Sequence, residues 1–235
     1  LGIGIYRDEK GEAPVFKAVK KAESILYQNE KSKSYKTPVG NSEYCKNILD
    51  LVLGEDILSE RRDKVGAIQI PGAGSGLRIA GELIKNNLQN KVISIPDPTW
   101  GQQPFMFEKA GLKISKHTYY NEQNNFLDFD NMINDLNKLK SGDSLLLHGC
   151  CHNPTGADLS LEQWEQVANI CLKKGILPFI DLVYQGLGKG IIDDVLGIRK
   201  LVQIVPEVII TVSSSKTFGV YRDCLLYTSD AADEP

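Results

Sequence analysis

Short apolar runs recurring between stretches of helical spacing constrain this chain more than any other feature. The runs are residues 65–70, 92–95, 145–148, 176–181 and 208–212. Between them, residues 76–88, 129–139, 161–173 and 191–205 repeat their apolar side chains as one face of a helix does. Runs that are apolar throughout suit strands buried on both faces. Strands alternating with helices argue for an α/β fold, a mainly parallel sheet with helices on both sides. Upstream, Val15, Val19, Ala22 and Leu26 share one face of a helix predicted over residues 14–29. A second helix is predicted over 41–53, with Asn41 or Ser42 as its cap and Gly54 past its end.

The bulk composition is that of a globular protein and excludes several function classes. A net charge of −3 gives no footprint for nucleic acid or a membrane surface. No apolar run approaches the ~18 residues of a spanning helix. The five cysteines show no metal-ligand spacing, and Cys150 and Cys151 are adjacent. The expectation is a reducing, cytoplasmic compartment. The chain opens on Leu1 rather than Met, so a native start upstream is expected.

In such sheets ligands collect beyond the carboxyl ends of the strands, so the residues after each run are the candidates. After 65–70 stands Pro71-Gly72-Ala73-Gly74-Ser75-Gly76, which reads as a phosphate cradle at a helix start or as a plain flexible turn. After 92–95, Trp100 suits either a ring stacked on a planar ligand or a place in the core. Residues 148–156, His-Gly-Cys-Cys-His-Asn-Pro-Thr-Gly, form a turn in which Asn153 can donate and accept. Zinc is disfavoured there because no second ligand station exists. Asp181 ends an apolar run, where a carboxylate needs donors or a cation; it reads as a counter-charge or as a helix cap. Tyr184 follows three residues on. After 208–212 come three serines and then Lys216; a half-buried lysine becomes a nucleophile toward carbonyl carbon. Together these ends ask for one ligand with a phosphate, an aromatic ring, a ring nitrogen wanting an anion, an oxygen wanting donors and a carbonyl for an amine, which describes pyridoxal 5'-phosphate (PLP).

The motifs 1–8, 148–156, 181–186 and 213–221 resemble the class I aspartate and aromatic aminotransferases, a fold-type I PLP family, nearly collinearly from Leu1 to Asp223. The resemblance implies that residues 1–13 belong to a small domain. Residues 14–223 would then form an incomplete PLP-binding large domain on a mainly parallel, seven-stranded-type sheet. It implies that Lys216 holds the cofactor and shuttles a proton, and that Asp181 keeps the ring nitrogen protonated. Tyr184 and Asn153 would donate to the phenolic oxygen, Trp100 would stack on the ring, and Ser213 would bind phosphate with Ala73, Gly74 and Ser75. Trp100 and Asn153 would also contact substrate, and Gly4 would close over it. Tyr35 would reach the phosphate of a neighbouring subunit, so a homodimer with shared sites is implied. The implied reaction is ping-pong amino transfer between an amino acid, aspartate or aromatic, and a 2-oxo acid such as 2-oxoglutarate. Another PLP reaction on this fold, a lyase or decarboxylase, and a regulator's effector domain are the alternatives.

Three departures stand out. The phosphate-loop hydroxyl, Ser75, sits one residue later than in the family. Gln103 replaces a histidine the family often places three residues after the tryptophan. Cys224 stands where an arginine is expected, and residues 224–235 read as a translated transposase adapter rather than native sequence. On that reading both substrate arginines are absent, and a product ending here is expected to be inactive and aggregation-prone through an unpaired sheet edge.

Overall fold

The structure, a computed structural model, describes residues 4–32, 34 and 37–221. Tyr35 and the segment 224–235 lie outside the described residues, as do Leu1, Gly2 and Ile3.

The predicted alternation is realised as a five-stranded parallel sheet among the described residues. Its strands are β1 (Val92–Asp97), β2 (Lys113–Thr118), β5 (Ser144–His148), β6 (Leu177–Leu182) and β7 (Ile209–Val212), in the order β2-β1-β5-β6-β7. A separate short hairpin pairs β3 (Tyr120–Asn121) with β4 (Phe126–Leu127). The chain steps from β1 outward to β2, then returns to the other side of β1 as β5. That reversal is a topological switch point, where a crevice opens beyond the strand ends.

Among the described residues eight α-helices accompany the strands: α1 (Lys17–Asn29), α2 (Ser42–Arg61), α3 (Gly72–Asn87), α4 (Gln102–Ala110), α5 (Phe129–Leu136), α6 (Leu161–Lys174), α7 (Leu196–Ile204) and the single turn α8 (Ser214–Thr217). Both faces of the sheet are covered, and strand pleating decides which side chain goes where. Leu145 and Leu147 of β5 join Ile180 and Leu182 of β6 in a core with α2, α5, α6 and α7. Leu146 and Phe179, one residue out of phase, point the other way, into a core with α3 and α4. Phe107 of α4 meets Phe179 edge to face, with centroids 5.6 Å apart.

Helix ends follow the sequence signals. Asn41 caps α2 by accepting from the backbone N–H groups of Glu43 and Tyr44. Gly54, at φ +78°, breaks α2 where an end was expected, but a second helical piece runs on to Arg61. At the break, Arg199 of α7 donates to the carbonyls of Val52 and Leu51 at 2.9 and 3.2 Å, groups that the broken helix leaves short of partners. Ser160 and Gln163 form a capping box on α6, and Gly175 ends that helix in the left-handed region.

Several expectations need correction. Residues 65–70 were expected as a strand; they form none and pair with no strand among the described residues. The helix expected from residue 76 starts four residues earlier, at Gly72. Residues 191–205 split into a 3-10 turn, Asp193–Val195, and α7. The amphipathic face of α1 exists, yet none of its residues is buried.

The capping box gives a direct test. Ser160→Ala removes the acceptor for the Gln163 N–H, and the expected loss is about 0.5–2 kcal/mol of stability. Urea unfolding measures it, and an unchanged midpoint would show that the box contributes nothing.

Candidate functional site

The sheet brings its strand ends to one rim. Asp97 ends β1 and Pro98 to Trp100 follow it, His148 ends β5, Asp181 lies one residue before the end of β6, and Ser213 follows β7. A Cβ on Gly76 would lie 3.4 Å from the Thr211 side chain, so the start of α3 abuts β7.

Asp181 is the electrostatic centre. It is 5% exposed. Its Oδ2 accepts from Gln103 Nε2 at 2.7 Å, and its Oδ1 faces Thr211 Oγ1 at 3.3 Å. Burial pushes its pKa up to about 6, against the opposing pull of those donors and of the Lys216 charge. Lys216, on α8, is half-buried; burial lowers its pKa, and Asp181 works the other way. Its Nζ lies 5.6 Å from the centroid of the Tyr221 ring. Burial raises the Tyr184 phenol, with the Asp181 charge adding to the effect.

The polar shell continues behind Asp181. Gln103 Oε1 lies 3.1 Å from His148 Nε2 and also accepts from the Thr99 hydroxyl. The backbone N–H of Asn153 donates to His148 Nδ1 at 3.2 Å. The His148 ring stacks on His152 at 4.4 Å, and His152 stacks on Tyr119 at 3.9 Å. Burial lowers His148 to about 4, His117 to about 3 and His152 to about 2.

The sequence-predicted residues fall into place unevenly. Asp181 lies within electrostatic reach of both Lys216 and Tyr184. A Cβ on Gly4 would lie 3.8 Å from the Tyr184 hydroxyl, so the N-terminal segment closes on this corner. The Tyr6 N–H donates to the Tyr221 hydroxyl at 2.7 Å and ties that segment down. Trp100 is partly buried against the core that holds Leu77 and Phe107. Ala73, Gly74 and Ser75 form the first turn of α3, whose N-terminus has no side-chain cap. Ser213 is buried and caps α8 through the Ser215 N–H. Asn153 is half-buried in the loop after β5.

Thr211, Thr99 and His148 were not singled out as site residues. The signal for Thr211 was a hydroxyl inside an apolar strand, two residues before Ser213 and so on the same face. Thr99 and Gln103 stand four apart across the start of α4, a spacing that brings side chains together. A cavity of about 510 Å³ lined by Phe129, Asp130, Ile133, Asn134, Gln163 and Gln166 contains none of these residues.

The donor set fits PLP. A buried carboxylate held only by neutral donors suits a protonated ring nitrogen, a half-buried amine of lowered pKa suits an aldehyde carbon, and an uncapped helix start suits a phosphate.

Comparisons with known proteins agree. The sequence profile of the family described as aminotransferase class I and II matches residues 1–232. An aspartate aminotransferase of Escherichia coli K12 is 38% identical over 98% of this chain and 59% of its own length. A tyrosine aminotransferase of Rhizobium meliloti is 40% identical over 95% of this chain and 56% of its own. The solved structure of an aromatic-amino-acid aminotransferase from Burkholderia pseudomallei, covalently bound to pyridoxal phosphate, superposes with a TM-score of 0.91. Its identity is 31%, over 95% of this chain and 56% of that one. The chain thus spans somewhat over half the length of the relatives it matches.

The buried histidines set the apoprotein's response to acid. Unfolded, His117, His148 and His152 take up protons below about pH 6.5; folded, only below about 3, 4 and 2. Between pH 4 and 6 they therefore make stability rise with pH. Asp181 opposes them: its folded pKa is raised from 3.8 to about 6, so its contribution falls as pH rises through that window. Three histidines outweigh one carboxylate, and each net proton contributes roughly 1.4 kcal/mol per pH unit. We expect the urea midpoint of the apoprotein to drop as pH is lowered from 7 to 5. A midpoint that held or rose would contradict the buried, neutral state of these rings.

Proposed function

The chain belongs to the class I and II aminotransferase family, and from that premise we propose that the protein moves an amino group between an amino acid and a 2-oxo acid with PLP held at the Asp181–Lys216 corner. The observation that carries this reading is the pairing of a half-buried lysine with a buried carboxylate whose direct partners are neutral. Bound there, PLP would supply the electron sink that lets a proton leave the substrate Cα.

The chain's own residues divide the remaining work. Lys216, with its pKa lowered by burial, is able to shed its proton and so hold and return one at the substrate Cα. Asp181 keeps a proton on the ring nitrogen by placing negative charge beside it. Tyr184 and Asn153 donate to the phenolic oxygen, and Trp100 covers the ring face. The first turn of α3, with Ala73, Gly74 and Ser75, and the Ser213 hydroxyl hold the phosphate. Gly4 gives the N-terminal segment close approach above Tyr184. Tyr35 serves a neighbouring subunit in a homodimer, in the cytoplasm.

The names of the relatives support aspartate or an aromatic amino acid as donor and favour transfer over lyase or regulator roles; 2-oxoglutarate is the acceptor we propose.

In the complete protein, Lys216→Ala should abolish the visible absorbance of covalently held cofactor and lower transamination by at least about 10²–10⁴-fold. Normal turnover in that variant would overturn the assignment. Asp181→Ala should weaken PLP binding roughly 10- to 100-fold, the worth of a hydrogen bond to a charged group. Fluorescence titration of the apoprotein reads this, and wild-type affinity would remove Asp181 from the site.

A further inference from the structure

The hydrogen bonds behind Asp181 run in one direction only. A backbone N–H can donate and nothing else, so Asn153 fixes His148 Nδ1 as an acceptor. His148 is neutral, because burial lowers it to about 4, so its single ring proton sits on Nε2 and points to Gln103 Oε1 at 3.1 Å. The Thr99 hydroxyl donates to the same oxygen. With Oε1 facing two donors, the amide has one workable orientation, which presents Nε2–H to Asp181 Oδ2 at 2.7 Å. The opposite orientation would set Oε1 against a carboxylate oxygen and the amide hydrogens against two other donors. The stack of Tyr119, His152 and His148 fixes the plane of the histidine ring.

The other carboxylate oxygen is not committed. Thr211 has one hydroxyl hydrogen and two acceptors at 3.3 Å, Asp181 Oδ1 and the Ile180 carbonyl. It can serve either.

We propose that Gln103 is a positioning residue: it commits Oδ2 of Asp181 as a fixed acceptor and leaves Oδ1 as the oxygen that exchanges a proton or takes a cationic N–H. The relay is electrically neutral throughout. A histidine at this position could bring its own proton and charge to the carboxylate; glutamine cannot. The charge of Asp181 is thus left for Lys216 or for a ligand to answer, and the other titratable groups facing it are Tyr184 and, through Gln103, His148. This deepens the proposed function and rests on it where the ring nitrogen is concerned.

The apoprotein of the complete chain provides the test. Side-chain 15N spectra should show His148 as the neutral Nε2–H tautomer from pH 6 to 8. Carboxyl 13C spectra should show Asp181 titrating near pH 6. Gln103→Leu removes the donor to Oδ2 and should raise that midpoint by about one to two pH units. Gln103→Glu, of the same shape, sets two carboxyls at hydrogen-bond distance and should raise it as well, which covers the case in which the leucine variant does not fold. Thr211→Val should move it less than either, because the Thr211 hydroxyl has a second acceptor. An Nδ1–H tautomer in the wild type would overturn the proposal, as would a larger shift in Thr211→Val than in the Gln103 variants. An apoprotein that shows the relay but takes up no PLP would support this inference and overturn the proposed function instead.

Discussion

A carboxylate sealed among apolar side chains is the constraint on which the rest of this structure depends. Asp181 sits next to the last residue of a strand buried on both faces, where an ionised oxygen without donors would cost several kcal/mol. Its donors come from parts of the chain distant in sequence: Gln103 at the start of α4 and Thr211 in β7. The sheet order places them there. β6 lies between β5 and β7, and the reversal beside β1 opens the rim on which Trp100, Thr99 and Gln103 stand. Fold and charge are therefore one problem. The strands must be parallel and in this order for the carboxylate to be tolerable, and the carboxylate in turn makes the rim reactive.

What could be read from the sequence follows from how each element buries itself. β1, β5 and β6 were legible because they are buried over most of their length and so are mainly apolar, and β7, at one edge of the sheet, because it still reads Ile-Ile-Thr-Val. β2 was not, because it is an edge strand whose Lys113, Ser115 and Lys116 break the pattern. α4 was hidden by Pro104 near its start and by its brevity. Residues 65–70 misled for the opposite reason: they have the composition of a strand but no strand beside them among the described residues. Strand formation needs a neighbour, which composition does not supply.

The site was legible in proportion to how much chemistry a residue carries by itself. Lys216 and Asp181 stood out because a charge at the end of an apolar run demands an explanation. Gln103 drew notice only as a departure from a family pattern. Thr99 and Thr211 drew none, since a hydroxyl satisfies itself in many settings. The relay is a property of direction and distance, and neither is written in residue type. The separation of Oδ2 from Oδ1 needs coordinates altogether.

The break in α2 at Gly54 has a consequence in time as well as in space. The carbonyls of Leu51 and Val52 are answered by Arg199, which lies 147 residues beyond Val52. During vectorial synthesis the first half of α2 leaves the ribosome long before the guanidinium that completes it, and β5 and β6 are made in between. Contacts of such separation belong to the later stages of assembly, because closing so long a loop is repaid only once the intervening layers have packed. The seam between α2 and α7 is accordingly one that no N-terminal fragment ending before Arg199 can make.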